Sequence, residues 1–254
     1  MLKFKHRFSF FILMLFVCSA FNAYSAELRV AVASNFYATV QMLKPEFQHQ
    51  TGHVLRISSA SSGQLFAQIK HGAPFDVFMS ADMARPLQLV REGLASEPGI
   101  YARGQLVLLA NSESKSCEGV FNSKKQQFVA LANPDLAPFG AAAKAYLQHL
   151  DIWDSKQFKK VMGENVTQAM QMVVSKNAAI GLVAKSQLAN YSLAPHQCMR
   201  DIAVELYPPI DQGMVFINAS DRKAVYTAWI EFLNSSNVRE IISQQGYLLS
   251  EQSQ

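Results

Sequence analysis

The stretch RISSASSGQLFAQIKHGAPFDVFMSAD, residues 56–82, constrains the fold more than any other part of the chain. A short β run at 54–57 breaks into Ser58-Ser59-Ala60-Ser61-Ser62-Gly63. Helical spacing follows, with Leu65, Phe66 and Ile69 on one side, until Gly72-Ala73-Pro74 stops it. Residues 75–79, FDVFM, then read as the next strand. Strand, hydroxyl-rich turn, helix and strand make one βαβ unit. Its helix N-terminus exposes unpaired N–H groups at the positive end of a helix dipole, a place that suits anions. The serines add O–H donors, and Gly63 lets a ligand approach the backbone. The plainer reading is that Ser61 or Ser62 only caps the helix. The stretch by itself leaves both readings open.

The flanking sequence extends the pattern. Residues 27–33, ELRVAVA, have the alternating and then continuous apolar character of a buried parallel strand. Phe36, Val40, Leu43 and Phe47 follow at helical spacing to Thr51-Gly52, with a kink or a short break expected at Pro45. Asp82 is expected to cap a helix over 83–92. The order β-α-β-α-β-α indicates an α/β domain with a mostly parallel sheet. Further on, strands are expected at 105–110, 127–131, 179–183 and 213–217, and another beginning at 204–207. Helices are expected at 139–150, 154–161 and 166–176, and two more close the chain, with Val225, Trp229, Phe232 and Leu233 turned inward.

The N-terminus reads as an export signal. Lys3, Lys5 and Arg7 precede an apolar run at 8–21 and a small-residue end at 22–26. The run is shorter than a membrane span needs. Cys18 follows bulky residues, unlike a lipidation signal, and is read as part of the signal core. Cleavage near residues 25–26 would leave about 228 residues. Removing the three basic residues leaves 20 Lys and Arg against 19 Asp and Glu, so the alkaline pI does not argue for nucleic acid. No basic cluster interleaved with aromatics appears either.

The sequence contains no GxxxxGK[ST], HExxH, CxxC or GxSxG. Its histidines lack metal-ligand spacing, and no nucleophile stands out with its base. What recurs is one local design. Ser34-Asn35, Ser61-Ser62-Gly63, Pro138-Phe139-Gly140 and Asn165-Val166 each sit at or just before a helix start. Four helix N-termini turned toward one cleft would hold a small dianion without a counter-charge.

Several stretches together resemble the periplasmic molybdate-binding proteins of molybdate ABC transporters, within the type II periplasmic solute-binding proteins. They are Val32-Ala33-Ser34-Asn35, Ser59-Ala60-Ser61-Ser62-Gly63, GAPFDVFMSAD at 72–82, NPDLAPFG at 133–140, AIGLV at 179–183 and QQGY at 244–247. The resemblance covers essentially the whole chain after the signal. It implies a two-lobed α/β fold, each lobe a mostly parallel sheet flanked by helices, with the ligand in the interlobe cleft. The expected division is 1–26 signal peptide, 27–107 first part of lobe I, 108–208 lobe II and 209–254 the rest of lobe I. By motif, the resemblance places oxyanion donors at Ser34, Ser62, Phe139 and Val166. Many members carry a tyrosine hydroxyl where this chain has Ala184, and Asn35 is expected to supply a replacement donor.

The resemblance implies a non-enzymatic, monomeric, periplasmic protein that captures molybdate and tungstate and delivers them to an inner-membrane ABC permease. It implies no cofactor, no cation site and no nucleic-acid partner. The alternative within the class is sulfate or another tetrahedral oxyanion. A hydrolase using Ser62 lacks a matching His and Asp, and a scaffold domain would show no anion-dependent stabilisation. Cys117 and Cys198 both fall between the two lobe crossings of an exported chain, so a disulfide joining them is expected, against the alternative of two buried free thiols.

Overall fold

Two five-stranded sheets carry the chain in the computed structural model, which describes residues 26–112 and 115–249. The expected signal peptide lies outside the described residues, apart from Ala26.

The first sheet has the order β2-β1-β3-β10-β4. Its strands are β1 (Glu27–Ala33), β2 (Val54–Ala60), β3 (Val77–Met79), β4 (Gly99–Gly104) and β10 (Ile210–Phe216). β1 pairs in parallel with β2 and β3, and β10 runs antiparallel to β3 and β4. Alternate residues of β1 face opposite layers. Leu28, Val30 and Val32 pack with Phe36, Val40, Phe47, Trp229 and Phe232. Ala31 packs with Leu65, Ile69, Phe78, Leu89 and Val215 on the other face. Helices α1 (Tyr37–Thr51), α6 (Lys223–Asn234) and α7 (Ser236–Gln244) supply the first layer, and α2 (Ser62–Lys70) and α3 (Ala84–Arg91) the second. Burial on both faces explains the continuous apolar run of β1.

The second sheet has the order β7-β6-β8-β5-β9. It comprises β5 (Leu106–Asn111), β6 (Gln127–Ala132), β7 (Phe158–Gly163), β8 (Ile180–Ala184) and β9 (Gln197–Asp201). β6 is parallel to β7 and β8, and β5 is antiparallel to β8 and β9. Helices α4 (Pro138–His149) and α5 (Val166–Val174) complete this half. The chain passes from the first sheet to the second at Gln105, between β4 and β5, and returns between β9 and β10. The expected boundary at 107/108 falls inside β5, because Leu106 and Val107 already pair with Ala184 and Val183.

Three local expectations are corrected. The helix expected at 154–161 is a turn at 154–157 followed by the strand β7 from Phe158, whose parallel pairing with β6 overrides the helical spacing of its short apolar set. The strand expected at 204–207 is a single 3₁₀ turn, Val204–Leu206. The short break allowed for at Pro45 is absent: α1 runs as one helix to Thr51 and closes on Gly52 in the left-handed region. Cys117 and Cys198 are joined by a disulfide, with Cα atoms 5.5 Å apart and a sequence separation of 81. On a chain-entropy view, closing a loop of that length restricts the unfolded state by about 4.5 kcal/mol.

Candidate anion-binding site

The four helix starts singled out in the sequence lie on one ring of hydrogen bonds that passes through both halves of the molecule. The Ser34 N–H donates to Ala60 O at 3.0 Å, joining the turn after β1 to the end of β2, just before α2. The Gly63 N–H donates to Leu136 O at 2.8 Å, joining α2 to the loop before α4. The Asn133 N–H donates to Gly163 O at 2.7 Å, joining that loop to the end of β7, just before α5. The Gln187 side chain donates to Thr167 Oγ1 at 3.1 Å, joining α5 to the turn after β8. The Ser186 hydroxyl donates to Asn35 O at 3.1 Å and returns to the start.

Within this ring, the backbone N–H groups of Asn35, Ser62, Phe139 and Val166 have no hydrogen-bond partner among the described residues. All four residues are buried. Buried N–H groups are nearly always paired, so four orphans on one ring call for an acceptor that the chain does not provide.

Local chemistry shows how each helix start keeps its donor free. At α2, Ser61 takes the capping role in full. Its hydroxyl oxygen accepts from the Gln64 N–H at 3.4 Å, and the Gln64 side chain accepts from the Ser61 N–H at 3.3 Å. Ser62 is thereby released from capping. Its hydroxyl oxygen accepts from the Ala81 N–H at 2.9 Å, which fixes the side chain, and its proton has no acceptor among the described residues. At α5, Asn165 is the cap: Oδ1 accepts from the Thr167 and Gln168 N–H groups at 3.0 and 3.1 Å, leaving the Val166 N–H. At α4, Pro138 occupies the first turn and the Gly140 and Ala141 N–H groups donate to Ala137 O, leaving the Phe139 N–H. The Ser34 hydroxyl also has no partner among the described residues.

Asn35 departs from expectation in its side chain. Nδ2 donates to Gln212 Oε1 at 2.9 Å and is 3.2 Å from the Tyr247 hydroxyl. Both amide hydrogens are therefore engaged inside the protein, and the donor Asn35 can offer is its backbone N–H. Its carbonyl accepts from Tyr247 at 2.7 Å as well as from Ser186. Tyr101 donates to the same Gln212 oxygen at 2.9 Å. Burial pushes the Tyr101 and Tyr247 phenols up from their ordinary values, so both remain protonated donors at neutral pH. Gln212, Tyr101 and Ser186 were not singled out in the sequence, and Tyr247 entered only as the end of the QQGY stretch, not as a site residue. Asn35 lies 177 residues from Gln212 and 212 from Tyr247, so only the fold brings them together. Ala184, at the end of β8, is fully buried and offers only a methyl group.

The two halves meet here backbone to backbone. A Cβ on Gly63 would stand 2.9 Å from Leu136 O and 3.1 Å from Leu136 Cα, so only glycine permits this approach. Arg85 bridges the rim. It is ion-paired with Asp82 and donates to Asp135 O at 3.0 Å. The site's donors are neutral, and no cluster of three or more potential metal ligands occurs among the described residues. The first aspartate of GAPFDVFMSAD, Asp76, lies elsewhere. Asp76 is fully buried and accepts from the Arg29 N–H at 2.6 Å, from the Arg29 guanidinium at 2.8 and 3.1 Å, and from Ser220 at 2.7 Å. Burial would push this carboxyl up, but the hydrogen bonds from Arg29 and Ser220 and the Arg29 charge outweigh it and hold it below the usual range. Asp76 ties β1 to the turn that follows β10.

Two sheets joined by two crossings, with a donor-lined seam between them, define a two-lobed solute-binding protein. The chain belongs to the bacterial extracellular solute-binding protein family, whose model matches residues 28–248. It is 34% identical over 233 residues to the molybdate-binding protein ModA of Rhodobacter capsulatus, covering 90% of this chain and 91% of that protein. It is also 34% identical over 229 residues to ModA of Azotobacter vinelandii, covering 89% and 91%. Among solved structures it superposes on the periplasmic molybdate-binding protein of Azotobacter vinelandii with a TM-score of 0.80 and 31% identity, covering 88% of this chain and all of that one.

Proposed function

We propose that this chain is an exported, periplasmic solute-binding protein that captures molybdate, and tungstate with it, and hands the oxyanion to an inner-membrane ABC permease. The observation that carries the reading is the set of four orphan N–H groups and two free hydroxyl donors, from Ser34 and Ser62, on one ring, all of them uncharged. Such a set suits a ligand that only accepts hydrogen bonds and brings its own negative charge. A fully deprotonated tetrahedral dianion meets both conditions. Monoprotonated phosphate would turn an O–H against a donor. The names borne by the relatives point to molybdate within that class. Sulfate is smaller, and a ring set for molybdate would leave it unable to reach every donor at about 2.7–3.1 Å. On this reading Ser34, Asn35, Ser62, Phe139 and Val166 hold the anion, and the protein does no chemistry on it. The two sheets, with the chain crossing at Gln105 and again between β9 and β10, act as the two lobes of a monomer that closes on the ligand.

A thermal-shift panel with molybdate, tungstate, sulfate, phosphate and Mg²⁺ tests this. At a hundredfold excess over Kd, a ligand bound only by the native state adds about 2.7 kcal/mol, so molybdate and tungstate should raise the Tm by several degrees. A larger shift with sulfate would transfer the site to that anion. No shift with any oxyanion would reject the reading.

A further inference from the structure

The turn that follows β8, Lys185–Gln187, reaches the donor ring twice without contributing a donor to its interior. Gln187 grips Thr167, the neighbour of Val166, from within the same half of the molecule. Ser186 crosses to the other half and donates to the Asn35 carbonyl at 3.1 Å. The turn is itself held at the crossing, where the Lys185 N–H donates to Gln105 O at 2.9 Å. Other side chains also bridge the halves, but on different terms. Gln64 to Glu164, at 3.3 Å, lies exposed at the surface, and Asn190 to Gln245, at 2.7 Å, is only partly buried. Ser186 is buried, and its acceptor belongs to a residue whose own N–H is one of the four orphans.

We propose that Ser186 is a positioning residue for the anion site. Resting on the reading above, it couples anion capture to closure through Asn35. With the lobes together, its hydroxyl joins that of Tyr247 on the Asn35 carbonyl, while Gln212 and Tyr247 hold the Asn35 amide from the other side. Asn35 is then fixed by three side chains, two from its own half and one from the other, and its N–H is set for the ligand. With the lobes apart, the Ser186 bond is lost and the Tyr247 and Gln212 bonds remain, because those partners sit in the same half as Asn35. The Ser186 bond therefore stabilises the closed, loaded state alone and governs how fast the anion leaves.

The two kinds of support separate experimentally. Stopped-flow and calorimetric titration with molybdate would be run on the wild type, Ser186→Ala and Tyr247→Phe, beside melts of each protein without ligand. Loss of one neutral hydrogen bond in the closed state predicts that Ser186→Ala raises Kd by about 2- to 12-fold. The whole change should appear as faster dissociation, with association and the ligand-free Tm unchanged. Tyr247→Phe, which removes a bond present whether the lobes are open or closed, should lower the ligand-free Tm. If Ser186→Ala binds and releases molybdate as the wild type does, the coupling is wrong while the oxyanion reading stands. A drop in its ligand-free Tm with wild-type dissociation would mark Ser186 as structural and also overturn the coupling. A wild type that does not bind molybdate would overturn both.

Discussion

Gly63→Ala separates closure of the cleft from its donor chemistry. The added methyl removes no hydrogen-bonding group, because the Gly63 N–H remains and the Ser62 donors are unaltered. In the closed arrangement, however, the new Cβ would stand 2.9 Å from Leu136 O and 3.1 Å from Leu136 Cα. Both are backbone atoms that cannot swing aside as a side-chain tip could. Overpacking of this kind costs about 1–3 kcal/mol. The cost falls on the closed state alone, so molybdate affinity should drop roughly 5- to 150-fold. The ligand-free protein should respond in the opposite sense. Residue 63 lies in the first turn of α2, and alanine there restricts the unfolded chain, which typically stabilises by about 0.4–1 kcal/mol. Calorimetric titration and a ligand-free melt of the same variant give both quantities. Weaker binding with an equal or higher Tm is the expected pair. Affinity within twofold of the wild type would show that the ligand does not draw residues 63 and 136 together, and would refute the closure reasoning.

Two further perturbations probe the donors and their support. Val166→Pro deletes one orphan N–H at a position where proline is tolerated, since Val166 is the first residue of α5 and Asn165 before it is already extended at φ −149° and ψ 171°. A hydrogen bond to a charged ligand is worth about 1.5–3 kcal/mol, so titration should show molybdate affinity lowered about 10- to 150-fold with helix content retained by circular dichroism; undiminished affinity would exclude Val166 from the site. Asp76→Asn should destabilise the fold by about 3 kcal/mol near neutral pH, since it breaks a buried ion pair. Because the folded-state pKa of Asp76 is depressed, its contribution is fully present above the unfolded value of about 3.9 and is lost as pH falls through the lower folded value. The stability gap between wild type and variant in denaturant melts should therefore be flat above about pH 5 and narrow in more acidic solution. A gap that does not change with pH would place the effect outside ionisation.

Much of this was legible in the sequence because it is local. The βαβ unit at 54–79 shows in apolar spacing and turn residues, and three of the four helix starts show because Ser61, Asn165 and Pro138 sit where caps and first-turn residues belong. Their neighbours Ser62, Val166 and Phe139 are the residues left with free donors. The division of labour between Ser61 and Ser62 was not legible, since it turns on Ala81 donating to Ser62 across 19 residues. Likewise, the side chain of Asn35 looked available as a donor, but Gln212 and Tyr247 hold it through contacts that no local pattern encodes. β7 was misread as helix because its identity comes from pairing along β6, a property of the partner strand as much as of its own residues. The partly exposed strands β4 and β9 went unrecognised for the same reason, lacking a long apolar run of their own.

The most direct measurement of the central claim is a ¹⁵N–¹H correlation spectrum recorded through a molybdate titration. Hydrogen bonds to an anion are short and strong, so an amide that donates to one should move far downfield. The backbone amides of Asn35, Ser62, Phe139 and Val166 are predicted to show the largest downfield proton shifts in the protein, saturating together at one equivalent. If molybdate binds while these four amides stay in place and the large shifts fall elsewhere, the donor ring is not the site.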